Sequence, residues 1–434
     1  MIDLKITANK NALLKGFDNE TYALLQLTDK GTKSLMSKNK PLNISIVIDR
    51  SGSMSGHPLE EAKKSAIMMV QNMTNKDRIS IVTYDDFADV IVPSTFCSNK
   101  ESIIEAIVSI RTGGTTNLHE GWLLGAEEVA KYKNNKSINR VLLLSDGNAN
   151  RGLTDINEIS SQCSGLADTG ITTSTYGLGI QFNEYLMIEM ANNGLGQSYY
   201  GETAEDLLDP FKEEFELLQN IVATNIQLKY KSPKFINTKL MNNFRRDDQK
   251  SCWFMPDIAK DGEGWALFKI NIDKSHIKTK AIEVIRCEVS YKNNDGKTIY
   301  CDPVKLILEP LSPNAFEVIA ENQKVASRIE EITVANIQLE AIHAARVHNW
   351  EQVDFLINRA KNISKDNEWL SNSLRALERY SKSRRTEHFS KEAMYSSAKI
   401  DKRLVANNEE NWSMDEENLK AAYLRRKIER GKRM

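Results

Sequence analysis

In the stretch ISIVIDRSGSMSG, residues 44–56, a run of branched apolar residues ends in Asp49. Ser51 and Ser53 follow at alternate positions. A second apolar run, RVLLLSDG, ends in Asp146, and between the two lies RTGGTTNLHEG, where paired glycines precede Thr115 and Thr116. Two carboxylates, two serine hydroxyls and one threonine hydroxyl form an all-oxygen donor set with no soft ligand, which suits a hard divalent cation. Mg2+ takes octahedral oxygen at about 2.0–2.1 Å and keeps several waters. Two carboxylates cannot fill that shell, and the hydroxyls are neutral. The ion therefore keeps residual positive charge and favours an external carboxylate as a further ligand. The plain alternative is a network of helix caps and turns, because Ser and Asp are good N-cap residues and SMSGHPLEEAKK begins a helix.

These residues need strands to deliver them to one edge. NISIVID, RISIVTYDD, RVLLLSD and TTSTYGLGI read as strands. PLEEAKKSAIMMVQNM, KESIIEAIVSI, HEGWLLGAEEVAKY and NEYLMIEMANN read as helices between and after them. Strands alternating with helices predict a parallel sheet covered on both faces, and near-continuous apolar strands fit that burial. In such a sheet ligands bind outside the carboxyl ends of the strands, where Asp49 and Asp146 fall.

The α/β rhythm runs over residues 41–205. Residues 1–40 and 220–310 carry strand patterns instead, with a hairpin signal in NNDGK. A strand pair as small as the first cannot stand alone, so the two regions predict one β-sandwich with the α/β unit inserted. Residues 314–383 turn helical, with apolar positions three and four apart. Residues 384–434 read as a polar tail with a basic end, LKAAYLRRKIERGKRM, in which seven Lys and Arg face one acid, Glu429. Such a run is usually a solvated helix end, and Trp412 is an anchor candidate for docking it.

Composition narrows the classes. The chain of 434 residues has a formal net charge of −1, so no global field argues for nucleic acid or membrane as the main partner. Its five cysteines, Cys97, Cys163, Cys252, Cys287 and Cys301, form no C-x-x-C pair. Reduced thiols are expected rather than zinc or disulfides. The start MIDLKITANKNALLKG lacks the apolar stretch of a signal peptide, and a cytoplasmic location is expected.

With DRSGSM as D-x-S-x-S, followed by GGTTN and LLLSDG in that order, residues 41–205 resemble the von Willebrand factor A (VWA) domain and its metal-ion-dependent adhesion site. YGLGIQFNEYLMIEMANNGLGQSYY looks like the last strand and helix of its bacterial and inter-alpha-trypsin-inhibitor-like branch. The resemblance implies an α/β doubly wound, Rossmann-like domain, here flanked by a β-sandwich and followed by a helical region. It implies metal binding by Asp49, Ser51, Ser53, Thr116 and Asp146, with the serines and threonine direct and the aspartates often through water. Thr116 is favoured over its neighbour Thr115 by its step before the next helix.

The implied function is a non-enzymatic, Mg2+-dependent adaptor that captures an acidic side chain of a partner protein within a multiprotein complex, with Mn2+ or Ca2+ as alternative ions. The C-terminal helices are candidates for self-association. Two other readings stay open: a structural subunit whose ion only stabilises loops, and a Mg2+-dependent hydrolase. The chain lacks a P-loop and a G-x-S-x-G elbow, which counts against the second. His57 and His119, near the metal set in sequence, are rim candidates or plain surface residues. Asp85 and Asp86 are added acidity or ordinary loop residues.

Overall fold

A computed structural model of the chain describes residues 2–29, 40–365, 367–402 and 405–406. Its central sheet is built from β1 (Leu42–Asp49), β2 (Arg78–Tyr84), β3 (Ala88–Phe96), β4 (Ile138–Ser145), β5 (Thr172–Leu178) and β6 (Leu195–Gly201), in the order β3-β2-β1-β4-β5-β6. β1 and β4 are buried along their whole lengths. Their side chains alternate: Ile44, Ile46 and Ile48 enter the core on one face, Val47 the core on the other. Strands apolar on both faces need helices on both. α1 (His57–Asn72), α2 (Lys100–Ser109) and α6 (Leu208–Asn220) cover the first, and α3 (Leu118–Lys131), α4 (Ile156–Thr169) and α5 (Glu184–Asn193) the second.

The sheet is not wholly parallel, as the alternating pattern had predicted. β3 runs antiparallel to β2, because residues 85–87 between them are too few for a crossover, which takes a dozen or more. α4 and α6 go beyond the helices read from the sequence. Phe211, Phe215 and Leu218 of α6 join the core beneath α1, so the α/β unit continues past residue 205.

Two antiparallel sheets flank this unit. One has the order Ile2–Ala8, Asn19–Asp29, Gly262–Ile272, Ile236–Leu240. The other centres on Ile221–Lys231 paired with Ile282–Lys292. Residues 19–29 thus pair directly with 262–272, and the two sheets share one buried cluster that includes Leu25, Leu27, Ile226, Leu228, Phe268 and Val289.

The C-terminal helices are α7 (Pro313–Glu317), α8 (Gln323–Arg346), α9 (Trp350–Ile363), α10 (Glu368–Lys382) and α11 (Thr386–Asp401). α11 stands where a polar tail from residue 384 was expected. Its Phe389, Ala393, Met394 and Ile400 join the core built by α3, α4 and α5. Lys391 of α11 is buried there, donating to Phe182 O at 2.6 Å and Glu184 Oε2 at 2.7 Å. The basic run 420–433 and Trp412 lie outside the described residues.

All five cysteines are free thiols, and Cys97, Cys163, Cys252 and Cys287 are buried. Among the described residues no helix is long and apolar enough to cross a membrane.

Candidate metal-binding site

β1 ends at Asp49 on the carboxyl edge of the sheet, and β4, its parallel neighbour, hands over to Asp146 at the same edge. The side chains meet in one hydrogen-bonded chain. Asp49 Oδ1 accepts from Ser51 N at 2.9 Å, and its Oδ2 accepts from Ser145 Oγ at 2.9 Å. Ser51 Oγ lies 3.2 Å from Ser53 Oγ, which donates to Asp146 Oδ1 at 2.8 Å. Arg50, the intervening residue, turns away to Asp85 and Asp89.

The glycine–threonine loop is stitched to this set. Gly52 N donates to Gly114 O and Gly113 N to Arg50 O, at 2.9 and 2.7 Å. Glycine leaves room for the carboxylates that hold this loop: a Cβ at Gly113 would sit 1.7 Å from Asp85 Oδ2, and one at Gly114 would sit 2.1 Å from Asp86 Oδ2. Thr115 is spent on Asp86, to which both its N and its Oγ1 donate. Thr116 is buried and faces inward. A Cβ built on Gly147, the residue after Asp146, would stand 3.4 Å from Thr116 Oγ1 and 3.7 Å from Ser53 Oγ. The geometry therefore brings Asp49, Ser51, Ser53, Thr116 and Asp146 together and leaves Thr115 outside.

Several contributors escaped the sequence reading. Asn150 accepts from Thr116 N and donates its own N–H to Thr116 O, at 3.1 and 3.2 Å. Ser145 fixes the second oxygen of Asp49. Asp85 and Asp86 grip the Gly-Gly-Thr loop rather than adding free acidity. α3 approaches the sheet closely through Gly121 against Tyr84 and Gly125 against Val47, which seats the loop at its N-terminus. His119 bonds Gln162 of α4, and His57 lies beside Glu61 and Glu205.

Electrostatics favour a cation. The hydrogen-bond partners of Asp49 and Asp146 named above are all neutral. Burial raises the Asp49 carboxyl above the ordinary carboxylate range, against the hydrogen bonds from Ser51 and Ser145. Burial and the nearby Asp49 charge push Asp146 up to about 6. Two desolvated carboxylates that disfavour each other's charge would be relieved by a divalent ion between them. Among the described residues no three His, Cys, Asp or Glu side chains form a metal-binding group, so an ion here would depend on hydroxyl ligands. That is the donor set of a hard cation, and the residues fit one.

Comparison with known proteins agrees with this architecture. Residues 43–213 match the family model of the von Willebrand factor type A domain, and the α/β unit is such a domain. The chain is 31% identical over 192 residues to the uncharacterized protein sll0103 of Synechocystis, covering 43% of this chain and 44% of that protein. It is 26% identical over 201 residues to human inter-alpha-trypsin inhibitor heavy chain H3, covering 44% and 22%. The chain thus spans under half the length of these curated relatives. The solved von Willebrand factor type A structure from Catenulispora acidiphila superposes with a TM-score of 0.70 at 15% identity, covering 87% of this chain and 90% of that one. That likeness extends the shared fold well beyond the α/β unit.

Proposed function

We propose that this chain is a non-enzymatic, metal-dependent protein-binding module, in which Asp49, Ser51, Ser53, Thr116 and Asp146 hold Mg2+ and the ion takes an acidic side chain of a partner as a further ligand. VWA domains commonly mediate metal-dependent protein interactions, and that general role supports the reading. The observation that carries it is the pair of carboxylates, Asp49 and Asp146, linked through neutral serine hydroxyls at the carboxyl edge of the sheet.

The ion, when bound, supplies a positive centre for a carboxylate. The chain's own residues do the rest. Asp49 orders the loop by accepting Ser51 N, and Ser145 holds Asp49 in place. Asn150 fixes the backbone on both sides of Thr116. The two antiparallel sheets with their shared core read as a β-sandwich that carries the metal-binding unit as an insertion. The C-terminal helices, packed on α5, supply further surface for assembly in a complex.

The test is affinity capture from the native cell with the wild type and Asp49→Ala, in Mg2+ and again in excess EDTA. Metal-bridged capture predicts a partner lost with both EDTA and the substitution. A partner set indifferent to both moves recognition to the sandwich or helices and leaves any ion a structural role.

A further inference from the structure

The turn whose Asp85 and Asp86 hold the glycine–threonine loop also puts a large aromatic ring in solvent. Phe87, in the turn between β2 and β3, is 62% exposed. The Arg151 guanidinium stands 5.0 Å from the centre of its ring and bonds Asp86 Oδ1 at 2.8 Å. That same carboxylate oxygen accepts from Thr115, next to the metal-facing Thr116. Asn150, the neighbour of Arg151, holds both backbone polar groups of Thr116. The Phe87–Arg151 pair is therefore tied through two independent sets of hydrogen bonds to the loop that bears Thr116.

Two properties of this corner point to a ligand. An exposed Phe beside a binding site offers a broad apolar face, and such rings are common anchors at interfaces. Arg151 has a side chain 45% exposed, and a guanidinium presents five donors in a planar fork matched to carboxylate. One of those donors faces Asp86, which leaves others for a ligand. At another flank, the first turn of α1, His57 lies near Glu61 and Glu205, and Lys64 pairs with Glu61 at 2.6 Å. An acidic segment arriving at the metal would meet the Arg151 guanidinium on the Phe87 side.

We infer that Phe87 and Arg151 form a specificity-determining corner of the adhesion site, which selects an acidic peptide segment with a second carboxylate for Arg151 and an apolar side chain for Phe87, next to the carboxylate given to the ion. The inference rests on the metal-bridged capture proposed above. Arg151 grips the second carboxylate, and the ring of Phe87 covers the apolar neighbour.

The experiment uses the full chain, immobilised, against a displayed library of random peptides with one fixed central Asp. Selection runs in Mg2+ and in EDTA, for the wild type, Phe87→Ala and Arg151→Gln. The wild type should enrich, only in Mg2+, peptides with a second Asp or Glu and an apolar residue near the fixed Asp. Arg151→Gln should lose the acidic preference and Phe87→Ala the apolar one, and Arg151→Gln should bind a wild-type-selected peptide about tenfold more weakly. Mg2+-dependent selection with no flanking preference, or with the same preferences in both variants, overturns the corner alone. A loss of Mg2+ affinity in Arg151→Gln, titrated with metal alone in a calorimeter, also overturns it, because Arg151 would then act through the ion site. Recovery that never depends on Mg2+ overturns the capture reading itself, and the corner with it.

Discussion

Substituting Asp49 by Asn separates the two demands the site makes on that position. Asp49 is fully buried; it accepts from the Ser51 N–H and the Ser145 hydroxyl, and the Ser51 and Tyr84 side chains also face it. An Asn keeps an acceptor for Ser51 N, and Ser145, whose hydroxyl can turn, can accept from the new amide. At worst the change loses one hydrogen bond, about 1 kcal/mol. It also removes a desolvated negative charge, whose burial costs several kcal/mol, so without metal the burial term wins. In EDTA, Asp49→Asn should therefore melt at or above the wild-type temperature. Mg2+ reverses the order. An ion that binds only the folded state adds about 2.7 kcal/mol at a hundredfold its Kd. For a unit of this size, where each kcal/mol shifts the midpoint by about 2–4 °C, that is a rise of roughly 5–11 °C. The wild type should show it and Asp49→Asn should not, so the two melting curves exchange order between EDTA and Mg2+. The assay is thermal unfolding followed by circular dichroism across a Mg2+ titration. Wild-type curves that coincide with and without Mg2+ would refute the reasoning, as would a variant that gains as much as the wild type.

Other perturbations probe the supports around the site. Gly113→Ala should lower Mg2+ affinity about fivefold or more in calorimetry, because its Cβ would fall 1.7 Å from Asp85 Oδ2 and overpacking of that kind costs roughly 1–3 kcal/mol. Asp86→Ala should weaken Mg2+ binding by about three- to tenfold by releasing Thr115, the neighbour of Thr116. It should shift the EDTA melting point little, since solvent screens an ion pair this exposed. Lys391→Met should leave the buried Glu184 with Arg346 as its remaining partner and cost about 1.5–3 kcal/mol, read as faster hydrogen exchange across residues 386–401.

The candidate ligands were legible because they cluster in short motifs just after apolar strands. Asp49 ends a buried strand, Ser51 and Ser53 lie in the short 3-10 turn that follows, and Arg50 turns to Asp85 and Asp89. The partners that fix these residues were not legible. Asn150 meets Thr116 across 34 positions, and Ser145 meets Asp49 across 96. Only the register of β1 beside β4 makes the second contact. α4 eluded the reading because Ser, Gln and Gly surround its buried Ile159, Cys163 and Ala167, which blurs the apolar stripe. α11 did so because it buries Ser390, Lys391 and Ser397 along with its apolar residues, and Lys391 is polar only until Glu184 neutralises it. The antiparallel edge strand β3 needed the length of its connection, three residues, to be weighed against the period of its neighbours.

The central claim is that five side chains from three loops hold one divalent ion with room for an external carboxylate. Anomalous diffraction from crystals of the chain grown with Mn2+, a spectroscopically visible stand-in for Mg2+, tests it most directly. The account predicts a single strong anomalous peak bounded by Ser51 Oγ, Ser53 Oγ and Thr116 Oγ1, with Asp49 and Asp146 around it and at least one position taken by water or a neighbouring carboxylate. Density at that place with no anomalous signal, or a peak elsewhere with these side chains still bonded only to one another, would contradict it.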